Sequence, residues 1–186
     1  MRRWIMWGLV AATFVVFYLS LGRGSGPHPL LGKPAPEITL PLLDGGTLDL
    51  AAHRDKDIVV LDFWATWCPP CRESLPEIAA LAKHYEGREV VVYAVSVDQD
   101  PEAAGAFLDE QQIDVTVALD PEYQAAWAYE ANAIPQTVVI GKDGIVQAVH
   151  VGASRGFATA LRLEIDSLLA GRSLVRAAAP EAKPAT

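Results

Sequence analysis

The two cysteines of this chain stand three positions apart, at the junction between a run fit for a buried strand and a stretch with helical period. The run Ile58-Val59-Val60-Leu61-Asp62-Phe63 is rich in β-branched residues and lacks polar alternation, which suits a strand covered on both faces of a layered α/β sheet. After it, Leu75, Ile78, Ala82 and Tyr85 recur at the spacing of one helical face. Pro69 and Pro70 fall where a first turn tolerates missing N–H groups, and Pro76 is expected to kink the helix. Cys68 and Cys71 are therefore expected to bracket the first turn of a helix fed by a buried strand.

The alternation continues downstream. Val90 to Val97 reads as a second buried strand, and Asp100-Pro101-Glu102 as an N-cap, a first-turn proline and an acid suited to the helix dipole, opening a helix to about Gln112. Val115 to Ala118 reads as a short strand, Glu122 to Glu130 as a short helix, and Thr137 to Ile140 with Ile145 to Val151 as a hairpin around Gly141-Lys142-Asp143-Gly144. A last helix covers about Gly156 to Ala170. Upstream, Glu37 to Leu40 and Thr47 to Leu50 flank a turn at Asp44-Gly45-Gly46. Strands and helices in this order imply an α/β fold, a mixed central sheet flanked by helices with an N-terminal β-hairpin.

A chain of 186 residues allows one such domain, placed here at 34–172, plus extensions. Trp4 to Leu21 are eighteen consecutive positions without a charged side chain, preceded by Arg2 and Arg3, long enough to span a bilayer with the N-terminus inside. Residues 1–22 are expected to be a membrane anchor. A cleaved signal segment is the alternative, with Ser20 and Gly22 offering a small-x-small site. Residues 23–33 are rich in Gly and Pro and read as a flexible linker, and 173–186 as a disordered tail with too little apolar bulk to fold. A net charge of −8, with no basic patch, argues against nucleic acid as a partner.

The cysteine spacing excludes most other uses. A structural disulfide gains by closing a long loop, and a four-residue loop gives little. A zinc site needs more ligands, and His28, His53, His84 and His150 are scattered, so no metal is expected. For thiol chemistry the placement is apt. A cysteine at a helix N-terminus has its thiolate stabilised by the dipole, which makes Cys68 the attacking sulfur. Cys71, one turn on, can attack the mixed disulfide and resolve it. No cofactor is needed beyond the Cys68–Cys71 couple itself.

The segment Phe63-Trp64-Ala65-Thr66-Trp67-Cys68-Pro69-Pro70-Cys71, with Gly32-Lys33-Pro34-Ala35-Pro36 upstream, resembles the TlpA/ResA-like membrane-anchored branch of the thioredoxin superfamily. The resemblance implies a thioredoxin-like fold with an αβ insertion at Asp100 to Ala118. It implies that Pro135 is a cis-proline lying against the cysteines, with the Ile134 backbone free to pair with substrate. It also implies a thiol-disulfide oxidoreductase at the bacterial inner membrane, single-pass, with its catalytic domain in the periplasm and cytochrome c maturation as one setting. Its substrates would be proteins with disulfides, its electron donor a membrane thiol-disulfide transporter, and a monomer is expected.

Asp62, in a run that reads as buried, is expected to have a raised pKa, and thioredoxins carry a buried acid at this position. It is the candidate acceptor of the Cys71 proton, against the plainer reading of a strand-end acid bonded to a neighbour. Trp67 should shape the exposed surface beside the nucleophile, with Pro69 and Pro70, while Trp64 belongs to the core. The sequence departs from the branch at Ser74, where relatives of the ResA type carry glutamate; Glu73 stands one position earlier, rotated by about 100° on the helix. Neither Pro69 nor Pro70 can give an N–H to a Cys68 thiolate, which points to a weakly stabilised thiolate and a reductase. The alternatives are a disulfide-forming oxidase, a peroxidase of the same fold, for which the Pro-x-x-x-Thr-x-x-Cys pattern is absent before Cys68, and a copper or haem-protein chaperone module.

Overall fold

The computed structural model describes residues 27–154 and 156–175, so the anchor expected at 1–22 and the tail from 176 onward lie outside the described residues. Among the described residues no helix is long and apolar enough to cross a membrane. The chain opens with a hairpin of β1 (Thr39–Pro41) and β2 (Thr47–Asp49), in antiparallel register with the buried pair Leu40 and Leu48 directly opposite. Its turn needs Gly45 and Gly46, whose φ of 93° and 91° lie where a side chain is strained.

The buried run becomes β3 (Ile58–Trp64), every residue of which is buried. It is followed by α1 (Pro69–His84), β4 (Val90–Ser96), α2 (Pro101–Gln111), β5 (Val117–Leu119), α3 (Gln124–Ala128), β6 (Gln136–Ile140), β7 (Val146–Val151) and α4 (Phe157–Leu169). The five later strands form one sheet in the order β5-β4-β3-β6-β7, with β3 parallel to β4 and antiparallel to β6. This is the mixed sheet flanked by helices that the pattern predicts, with α2 and β5 as the αβ insertion.

Alternation along β3 divides the core in two. Val59, Leu61 and Phe63 pack with Leu40 and Leu48 of the hairpin, with Ala104 and Leu108 of α2 and with Ala125 and Ala126 of α3. Ile58 and Val60 pack on the other side with Ile78, Leu81 and Tyr85 of α1 and with Phe157, Leu161 and Ile165 of α4. The first turns of α1, carrying Cys68, Cys71 and Leu75, wrap over the end of the sheet and join the first cluster.

Most element bounds fall within a residue or two of expectation, and two of the shifts have a visible cause. The helix expected from Glu122 begins at Gln124, and the strand expected from Val115 begins at Val117. The cause of the first is Asp120, a buried carboxylate that accepts from the N–H of Ala126 at 2.8 Å and draws the intervening chain into a tight turn, with Tyr123 at φ 59°. For the second, Thr116 still bonds β4 through its carbonyl, which accepts from Ala94 N at 2.9 Å, but regular pairing starts one residue later. The first helix continues through Pro76, on its exposed side, as a single element.

Both ends of the described chain lie at the start of β7. Gly32 N donates to Val146 O, and Val146 N to Lys33 O, each at 2.9 Å. Ser173 Oγ and Leu174 N each donate to Gln147 Oε1 at 3.0 Å. Register places the start of β7 beside the start of β3, since Ile140 pairs with both Val146 and Val59.

Candidate active site

The opposite end of the sheet carries the cysteines. As β3 ends, Ala65 to Cys68 form a turn in which Cys68 N donates to Ala65 O at 3.2 Å. Cys68 is the N-cap of α1, with φ −98° and ψ 102°, and its Sγ lies 3.3 Å from the N–H of Cys71, which donates to it. The prolines at 69 and 70 lack that donor, so Cys71 supplies the first N–H of the helix. The two sulfurs are joined as a disulfide, with Cα atoms 5.3 Å apart. Cys68 keeps 5% of its surface exposed and Cys71 none, while the neighbouring Trp67 is 62% exposed.

The loop before β6 completes the rim. The Ile134–Pro135 peptide bond is cis, and Ile134 O lies 3.7 Å from Cys68 Sγ. Pro135 is buried and Ile134 half-buried. Residues from two distant parts of the chain, Trp67 to Cys71 and Ile134 to Pro135, are thus brought to one place.

Asp62 is placed differently. It is fully buried on β3, where it continues the alternation of Ile58 and Val60, and it makes no hydrogen bond to either cysteine. Its register partner Thr137 donates through Oγ1 to Oδ1 at 2.6 Å, and Oδ2 has no partner among the described residues. Burial pushes its pKa up to about 7, with the Thr137 hydroxyl pulling the other way. Across β4 its register partner is Ala94, so no cation from that strand offsets the charge. A carboxyl titrating near neutrality, with one free oxygen, can take and return a proton. Thr137 was not readable from the sequence, because only strand register brings it to Asp62.

Ser74 sits on the buried face of α1 and donates through Oγ to Cys71 O at 3.2 Å, whereas Glu73 is exposed. The one-position shift therefore turns the carboxylate to solvent and leaves a hydroxyl behind Cys71. Trp64 is fully buried against Phe107, as its core assignment requires. Among the described residues no three His, Cys, Asp or Glu side chains gather as a metal site would need.

A sulfur at the rim with a second sealed behind it, on a mixed sheet between helices, is built for dithiol–disulfide exchange, and fold and site together define a thioredoxin-like thiol-disulfide oxidoreductase. Comparison with known proteins carries this to a family. The model of the AhpC/TSA family matches residues 31–149, and the chain belongs to that family. Thiol-disulfide oxidoreductase ResA of Bacillus subtilis (strain 168) is 32% identical over 121 residues, covering 65% of this chain and 67% of that protein. Thioredoxin-like protein YneN of the same organism is 30% identical over 137 residues, covering 73% and 79%. Among solved structures, a thiol:disulfide interchange protein DsbE from Chlorobium tepidum superposes with a TM-score of 0.67 at 33% identity, covering 73% of this chain and 95% of that one.

Proposed function

We propose that this chain is an extracytoplasmic reductase of protein disulfides, held at the bacterial inner membrane by residues 1–22 and recharged by a membrane thiol-disulfide transporter. The observation that carries this reading is the difference in burial between the sulfurs: Cys68 at the rim beside the Ile134 carbonyl, Cys71 fully enclosed behind it. In the reduced enzyme the Cys68 thiolate attacks a substrate disulfide. The Cys68–substrate bond forms as the substrate S–S bond breaks, and one substrate sulfur leaves as a thiolate. Cys71 then gives its proton to Asp62 and attacks Cys68 Sγ, expelling the second substrate thiolate. The substrate gains two electrons and the enzyme ends as the disulfide described here. Two electrons from the transporter restore the dithiol.

The direction follows from Pro69 and Pro70, which leave Cys71 as the sole N–H donor of the loop; a weakly stabilised thiolate makes a weak oxidant. The names of the relatives, a thiol-disulfide oxidoreductase and a thiol:disulfide interchange protein, support thiol exchange as the activity, and the resemblance carried by Trp67 to Cys71 makes cytochrome c maturation one setting for it. The reduced protein is expected to reduce insulin, with a potential nearer the roughly −270 mV of thioredoxin than the roughly −120 mV of a dedicated oxidase. A value near the latter reverses the direction. Metal retained through purification, without insulin reduction, favours the chaperone reading instead. A Cys71→Ser variant traps substrates as mixed disulfides on Cys68, and an alkaline phosphatase fusion at the C-terminus is active only if the domain is exported.

A further inference from the structure

The turn that presents Cys68 is held from behind by a carboxylate with no part in the exchange just described. Asp98 lies two residues beyond the end of β4 and is 4% exposed. Its Oδ1 accepts from Thr66 Oγ1 at 2.7 Å and from Thr66 N at 3.2 Å. Its Oδ2 accepts from Thr66 N at 3.0 Å and from Ser96 Oγ at 3.0 Å. Thr66 stands inside the Ala65–Cys68 turn, where the sheet offers no acceptor for its N–H. Val97 N donates to Trp64 O at 2.9 Å, so β4 and the end of β3 form a rigid base for the clamp.

We propose that Asp98 is a positioning residue that sets the reactivity of the cysteine pair by pinning Thr66, and with it the turn that delivers Cys68 to the N-cap of α1. The cap geometry is what places Cys68 Sγ within 3.3 Å of the Cys71 N–H and in the field of the helix N-terminus. With Thr66 pinned from inside, Trp67 is forced outward and Cys68 is held at the cap. Released, the turn lets Cys68 leave the cap for part of the time, its thiolate loses stabilisation, and the reduced form loses ground to the disulfide. A carboxylate serves better than an amide because it accepts all four contacts at once without presenting a donor.

The inference rests on Cys68 being the attacking sulfur, and the test separates the two. In the reduced full-length protein, the alkylation rate by iodoacetamide is followed against pH with the modified cysteine identified, and the equilibrium with glutathione is measured alongside. Asp98→Ala is expected to raise the Cys68 pKa, slow its alkylation at pH 7 by about three- to tenfold, and shift the glutathione equilibrium towards protein disulfide by a similar factor. Asp98→Asn, which keeps one acceptor for Thr66, shifts both in the same direction but less. Should Asp98→Ala fail to fold, Thr66→Val, which loses only the hydroxyl contact, is expected to move both readouts by about twofold.

Alkylation of Cys71 before Cys68 in the unsubstituted protein overturns the assignment of the attacking sulfur and this inference together. Cys68 reacting first, with pKa and equilibrium unmoved in a destabilised Ala variant, overturns the inference alone and leaves Asp98 a structural cap. A lowered Cys68 pKa in Asp98→Asn also overturns it, because charge rather than position would then be the cause.

Discussion

A carboxyl enclosed by apolar side chains and bonded to one hydroxyl weakens the fold when it ionises, and Asp62 has that surrounding. The sign follows from its two pKa values, 3.8 when exposed and about 7 in the folded protein. Below the lower value both states hold the proton and nothing is gained or lost. Between the two, the unfolded chain has released a proton that the folded one retains, so stability falls as pH rises through this window and stays reduced above it. Asp62→Asn keeps an acceptor for Thr137 and removes the charge. It is expected to match the parent at pH 3.5 and to exceed it at pH 8 by a few kcal/mol, at about 1.4 kcal/mol per pKa unit, in urea unfolding. An equal difference at both pH values would show that ionisation is not its source. The same variant is expected to resolve mixed disulfides at least about tenfold more slowly and to lose the inflection near pH 7, as loss of a proton acceptor requires. An unaltered pH profile removes Asp62 from the mechanism. That Asp62 is buried could be read from its apolar neighbours in sequence. That Thr137 holds it, and that Asp98 holds Thr66, could not, because contacts between residues 75 and 32 positions apart depend on register and on adjoining loops. An acid ending a buried run, as Asp98 does after Val95-Ser96-Val97, was the one signal on offer.

At the scale of elements, the strands and helices that could be read were those whose local chemistry and burial agree. Asp100 caps α2 by accepting from Glu102 N at 3.0 Å, as the Asp-Pro-Glu sequence foretells, and β3 and α1 begin where the apolar run and the paired prolines place them. The third helix disagrees because a tertiary contact overrides propensity. Asp120 turns inward and accepts from Ala126 N, consuming as a turn two residues that would otherwise begin a helix. Removing that acceptor leaves backbone donors at the start of α3 unsatisfied beside buried Ala125 and Ala126. Asp120→Ala is therefore expected to lower the unfolding free energy by about 1–3 kcal/mol with an unchanged urea slope. The cysteines lie on other elements, so the glutathione equilibrium should stay put. A shift there would tie α3 to the redox site.

For the molecule as a whole, the sheet acts as a spacer between two poles. One pole holds Cys68, Cys71, Ile134 and Pro135 at the end of β3 and the start of β6; the other holds the entry at Gly32 and the exit at Ser173 beside the start of β7. The seven residues of β3, at about 3.3 Å each, separate the poles by about 20 Å. This polarity was beyond the sequence, which shows that a hairpin and a linker precede the domain but not where they attach. Residues Gly32 and Lys33, read as linker, in fact bond to Val146. If residues 1–22 are the tether proposed above, the domain hangs from the pole away from its cysteines and offers them outward from the bilayer. Whatever joins the chain at that pole should then leave sulfur chemistry alone. A fragment of residues 27–175 is expected to equal the full-length protein in detergent, within about twofold, in insulin reduction and in the glutathione equilibrium, as distant independent sites do. A larger change in the equilibrium would mean that residues outside the fragment reach the cysteine pole, and the separation of tether from site would fall with it.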